Sequence, residues 1–298
     1  MVIYLSLVER LLMDPRVNPS AQTNYAIRWA SRNGHLSVVE RLLMDPRVDP
    51  SNLDNEAIGK ASKNGHLSVV ERLLMDTRVD PSANDNYAIR GASLHGHLSI
   101  VERLLKDPRV DPSDDYNCAF HWATQCGHLP VVERLLQDPR VDPSSDYNKA
   151  IRFASLDGYA SVVDLLLKDP LVDPTAEYNF AIRYAAKNGH LAVVERLLMD
   201  PRVDPTAMNN CAIRSAAAKG HLSVVDRLLQ DPRVNPSDID NCAIHIASQN
   251  GHFSVVERIL NDPRTSMNSL IRMSYHTMLY LNRGFTYINE SILGKRKR

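Results

Sequence analysis

Apolar residues fall along this chain in adjacent pairs, four residues apart. Ile100 and Val101, then Leu104 and Leu105, follow an i, i+1, i+4, i+5 pattern, the stripe that a short helix buries on one face. Glu102 and Arg103 between them predict the solvated side. Upstream, Ala88, Ile89 and Ala92 share one face of another predicted helix, and its small alanines let a neighbouring helix approach closely. Gly96 separates the two and predicts a break where φ is positive or the backbone is crowded. Asp107-Pro108 closes the pair, because the residue before a proline avoids the α region. The segment PRVDPS then predicts an extended connector, and Asn86 is placed as the N-cap of the first helix.

The whole pattern repeats. Gly34, Gly65, Gly96, Gly127, Gly158, Gly189, Gly220 and Gly251 stand 31 residues apart without insertion or deletion. An asparagine column from Asn24 to Asn241 and an alanine column from Ala30 to Ala247 keep the same step. Of 17 prolines, all but Pro130 fall in two columns. A helix pair this short cannot bury its stripe alone, whereas stacked identical pairs bury it continuously. The expected fold is therefore all-α, a helical repeat solenoid. It has about eight helix-pair units, an N-terminal half-unit and a C-terminal capping helix. The expected division is residues 1–23 as the half-unit, 24–264 as the array, and 265–298 as capping helix and basic tail.

Composition removes some function classes. The chain has 298 residues with 35 basic and 35 acidic side chains, which argues against a general electrostatic grip on nucleic acid or an anionic membrane. No stretch reaches the ~18 apolar residues that span a bilayer. Four irregularly spaced cysteines do not form a disulfide framework, and a reducing compartment, cytoplasmic or nuclear, is expected.

The segment NGHLSVVERLL resembles the second half of an ankyrin repeat, and A-I-R-x-A-S resembles its first helix. The likeness covers roughly residues 1 to 264. The period is 31 where the family usually has 33, and the difference falls in the connector, where D-P-R-V-D-P stands. The family's β-hairpin fingers are therefore either shortened or replaced by a proline-braced loop. The connector resembles ankyrin arrays of large DNA viruses and some protists, which implies host interaction. Family membership implies protein–protein recognition in a concave groove, with no enzyme activity and no cofactor. It also implies that the Gly-His histidines bond backbone between units.

Columns that vary between repeats are freed from packing and mark the expected partner surface. Trp29, Trp122, Phe153 and Tyr184 share one such column, and Tyr116, Tyr147 and Tyr178 another. Arg28, Arg90, Arg152, Arg183 and Arg214 recur nearby, and Trp, Tyr and Arg are the commonest binding hot spots. Asp114, Asp115, Asp146 and Glu177 flank the tyrosines. An aromatic, acidic groove across residues 114 to 184 is expected to receive a basic or amphipathic segment of a protein partner. The competing reading half-buries the tryptophan column between first helices.

Chemistry is sparse. Cys118, His121, Cys126 and His128 lie within eleven residues, but helical spacing keeps the cysteines too far apart for one zinc ion, and no metal is expected. No nucleophile–base set stands outside the repeat. In the fifth unit Tyr159 replaces the column histidine, and Leu165 and Leu171 replace two column arginines. The double loss suggests that those arginines lie together in other units. It leaves either an apolar outer patch or a repacked unit.

The apolar start Met1-Val2-Ile3-Tyr4 leaves an edge open to self-association. Residues 267–281 predict one amphipathic helix, either a cap or a docking element of an adaptor such as one recruiting a ubiquitin ligase. Lys295-Arg296-Lys297-Arg298 resembles a nuclear localisation signal.

Overall fold

The computed structural model describes the backbone of residues 2–294 and the side chains of 6–269 and 271–282. The Lys295–Arg298 tail lies outside the described residues, as do the side chains of Val2, Ile3 and Tyr4. Eighteen helices and no strand occur among the described residues. Helix α1 is Val2–Met13. Pairs follow: α2 Ala21–Arg32 with α3 Leu36–Leu43, α4 Asn52–Lys63 with α5 Leu67–Leu74, α6 Ala83–Leu94 with α7 Leu98–Leu104, and α8 Asp114–Gln125 with α9 Leu129–Leu135. Then come α10 Ser145–Asp157 with α11 Ala160–Leu166, α12 Ala176–Asn188 with α13 Leu191–Met199, α14 Ala207–Lys219 with α15 Leu222–Leu229, and α16 Asp238–Gln249 with α17 Phe253–Leu260. The last helix, α18, is Ser269–Gly294, longer than the stretch expected.

The chain forms two compact units. One comprises the residues up to Ala154 with Lys168–Val172, the other Ser155–Leu167 with the residues from Asp173 on. Each is an all-α helical repeat solenoid in which successive first helices pack together and successive second helices pack behind them. In the third repeat Ile89, Ile100, Val101 and Leu104 are buried, each contributing about 1.5–3 kcal/mol by leaving water. In the second unit α18 packs on α17 with Leu279 buried, and Tyr275 Oη lies 2.5 Å from His245 Nδ1.

Both expectations for the glycine hold together. Gly96 has φ +74°, and a Cβ there would stand 2.7 Å from His128 Nδ1 of the next repeat. The turn closes as a Schellman motif, with His97 N donating to Ala92 O at 2.9 Å and Gly96 N to Ser93 O at 3.3 Å. His128 Nε2 reaches Leu94 O at 3.0 Å, and the same reach recurs from His66 to Arg32 O and from His221 to Lys187 O.

The connectors are proline-braced turns, not hairpin fingers. In each connector that carries the arginine, it closes on its own aspartate, even where Thr77 replaces the proline: Arg78 Nη2 lies 2.7 Å from Asp76 Oδ2. Its Nη1 also donates to Val48 O, 30 residues earlier, at 2.8 Å. Hydrogen bonding from Arg78 holds Asp76 below the usual carboxylate range, and the charge of Arg72 on the second helix adds to it. The two arginine columns thus flank one aspartate, as their joint loss at Leu165 and Leu171 suggested.

One expectation is corrected. The asparagine column does not cap the first helix through its side chain. The three residues ending at each asparagine are left-handed, as at Asn84, Asp85 and Asn86 with φ of 54°, 50° and 55°. Such backbone costs roughly 1–2 kcal/mol per residue for most side chains, and Asn and Asp tolerate it best. The side-chain oxygen points instead to the next repeat, where Asn86 Oδ1 accepts Asp111 N at 2.9 Å.

Candidate functional site

The left-handed turns carry the side chains that the variable columns singled out. Because the backbone reverses hand there, the middle residue stands clear of the helix. Tyr116 and Tyr147 in the first unit are 84% and 74% exposed, and Tyr178 in the second is 73% exposed.

The arginines beside these turns face inward. Arg28 donates from Nε to Thr23 O at 2.9 Å and from Nη2 to Gln22 O at 3.0 Å. Arg183 does the same to Tyr178 O and Glu177 O, and Arg214 to Asn209 O and Met208 O. Arg90 Nη2 bonds Asn84 O at 3.1 Å and Arg152 Nη2 bonds Asp146 O at 2.9 Å. Composition suggested binding residues; the geometry makes this column an internal brace for the strained turns.

At position 121 the column holds a histidine in place of the arginine. Between α8 and the start of α10 lies a cleft of about 480 Å³, lined by Asp115, Tyr116, Cys118, His121, Trp122, Gln125, Asp146, Tyr147 and Lys149. Of the expected site residues, Asp115, Tyr116, Trp122, Asp146 and Tyr147 come together here. Cys118, His121, Gln125 and Lys149 were not foreseen as parts of it. The break in the arginine column at His121 was the available signal.

His121 is 7% exposed. Its Nε2 lies 3.2 Å from Ser145 Oγ. Its Nδ1 is buried beside the Tyr116 carbonyl without a well-formed hydrogen bond. Burial lowers its pKa to about 4, helped by the charge of Lys149 and opposed by Asp146.

The cleft is less acidic than its carboxylates suggested. Asp115 Oδ2 is 2.6 Å from Arg90 Nη1, and Asp146 Oδ2 is 2.8 Å from Lys149 Nζ. Asp114 serves structure, accepting from Asn86 Nδ2 and from Asp115 N, each at 2.8 Å.

The other expected residues lie outside the cleft. Trp29, 47% exposed, tilts against His35 with centroids 5.4 Å apart. Phe153 is half-buried beneath the Arg152 guanidinium. In the second unit, half-buried Tyr184 stacks on Phe180 at 3.9 Å with Lys187 over its ring, and Glu177 is exposed. Cys118, Cys126, Cys211 and Cys242 form no disulfide. Among the described residues, no three His, Cys, Asp or Glu side chains gather as metal ligands would, and no helix is long and apolar enough to cross a membrane.

The family model for ankyrin repeats in three copies matches residues 87–179 and 182–270. The chain belongs to the ankyrin-repeat family. No curated protein matches it. Ankyrin repeats are generally protein–protein interaction modules, and the proteins built from them are typically non-enzymatic scaffolds. The glycine, histidine and paired aliphatic columns of this chain are what an ankyrin array needs for stacking, and the turns between them stand exposed.

Proposed function

We propose that this ankyrin-repeat protein is a binding scaffold without catalytic activity, and that it captures a basic segment of a protein partner at the cleft beside His121. One observation carries the reading. Tyr116, Trp122 and Tyr147, all exposed, surround a cleft that also holds the carboxylates of Asp115 and Asp146. Aromatic rings supply rigid contact area at small entropic cost, and a cation gains from both ring faces and carboxylates. Tyr178 and Glu177 occupy the same columns in the second unit and are proposed as further contacts.

The test replaces Tyr116, Tyr147 and Tyr178 together by alanine. These side chains stand out into solvent, so helicity by circular dichroism is expected to remain. Capture of the partners held by the parent chain is expected to fail. Undiminished capture overturns the reading.

A second reading, an adaptor that recruits other machinery such as a ubiquitin ligase through α18, is favoured by the exposed Ile271, Met273, Tyr280 and Leu281 on that helix. Replacing these four by serine separates the two readings. Loss of one partner with retention of another supports the adaptor.

A further inference from the structure

The repeats of this chain contain their own template for what enters the cleft. In the third repeat, Arg90 lies between two acceptors. Its Nη2 donates to Asn84 O, six residues earlier, and its Nη1 pairs with Asp115, 25 residues later. The same offsets from position 121 lead to the carbonyl of Asp115 and the carboxylate of Asp146. Both residues line the cleft. The acceptors of an arginine seat are thus in place, and the side chain that would fill it is a shorter imidazole.

Two other repeats also lack the column arginine, and each fills its seat from within the chain. At Gly59 the ring of Tyr87 occupies the space where a Cβ would project. At His245 the hydroxyl of Tyr275, from α18, meets the imidazole. At His121 about 480 Å³ stays open. The imidazole at its wall is more than nine-tenths buried, and Nδ1 has no well-formed partner.

We infer that the cleft is a vacant arginine seat, filled by an arginine side chain of the partner. This rests on the protein-binding reading above and names the chemistry of the captured residue. The incoming guanidinium donates to Asp115 O and to the carboxylate of Asp146, sharing that carboxylate with Lys149. Lys149 holds Oδ2, which leaves Oδ1 to the guanidinium. Tyr116, Trp122 and Tyr147 flank the guanidinium plane, an arrangement suited to arginine stacking. A lysine ammonium is a point charge without the planar fork, so it cannot serve carbonyl and carboxylate with the same geometry.

The experiment uses the full chain carrying Trp29→Phe, so that Trp122 is the only indole. The probes are acetyl-Gly-Arg-Gly-amide and its lysine and citrulline counterparts, titrated at millimolar concentrations while Trp122 fluorescence is followed. The arginine peptide is expected to bind about tenfold more tightly than either counterpart, the worth of one charge-assisted pair. Asp146→Asn is expected to weaken it by a similar factor. His121→Arg places the chain's own guanidinium in the seat, and should abolish peptide binding while raising the urea midpoint. Equal binding of arginine and citrulline peptides overturns the inference, as does unchanged binding to Asp146→Asn. If the triple tyrosine variant loses its partners but no arginine peptide binds, the inference fails and the protein-binding reading stands.

Discussion

The side-chain oxygen of Asn55 accepts the backbone N–H of Asp80, in the next connector, at 2.8 Å. The same asparagine holds φ +60° at the end of a left-handed turn. Two demands therefore meet on one residue, and substitution separates them. Asn55→Gly keeps the backbone conformation and loses the bond, so a cost of about 1 kcal/mol is expected. Asn55→Ala loses both, and about 2–3 kcal/mol is expected. Urea denaturation of the two variants measures the difference. Equal costs would mean that the left-handed turn carries no strain.

The glycine column offers a similar separation. Gly96 and Gly251 have nearly the same φ, +74° and +75°. A Cβ at Gly96 meets the His128 ring, whereas a Cβ at Gly251 meets nothing within 4 Å. Gly251→Ala should cost only the backbone term, about 1 kcal/mol. Gly96→Ala should cost roughly 1 kcal/mol more, because His128 must leave Leu94 O. Thermal or urea unfolding of both variants is the check.

The stacking was legible in the sequence because packing forces identity. Gly96, Ala92 and Val101 recur because other side chains fit the stacked units less well, and period 31 follows from counting. The exposed tyrosines were legible for the opposite reason, as columns free to vary. The direction of side chains was not. Arg90 and Tyr116 both carry the composition of a binding surface, but one turns inward to carbonyls and the other outward to solvent. Nothing in Leu53-Asp54-Asn55 announces three left-handed residues, since leucine does not favour them. Asp115 and Asp146 read as free acids because their cationic partners, Arg90 and Lys149, are fixed by the fold.

The fifth repeat lacks the clamp that others share. Arg140 reaches Val110 O at 3.0 Å and its own Asp138 at 2.7 Å, but Leu171 stands 63% exposed beside Asp169. By the same 30-residue offset, an arginine at 171 meets Val141 O. Leu171→Arg is expected to stabilise the first unit by about 0.5–1 kcal/mol, discounted because the column arginines are partly exposed. A rise in urea midpoint checks it, and a fall would show that the apolar side chain is needed there.

Acid should act on the molecule in two stages. His121 is buried as the neutral imidazole, and burial lowers its pKa from 6.5 to about 4, with Lys149 and Arg152 acting the same way and Asp146 opposing. Between those values the unfolded chain binds a proton that the folded chain refuses. Stability is therefore complete above pH 6.5, falls as pH drops, and levels near pH 4. The loss is about 3 kcal/mol. The D-P-R aspartates act later and from the opposite chemistry. Hydrogen bonding from Arg47 lowers Asp45 from 3.8 to about 2, so its contribution is present above pH 3.8 and disappears as pH falls through about 2. His121→Gln removes the first stage and leaves the second. Urea midpoints taken across this pH range should show a shallower upper limb for the variant than for the parent chain, the remaining slope coming from His95, whose pKa burial also lowers. A parent chain equally stable at pH 7 and pH 4.5 would place the His121 proton acceptor in contact with water.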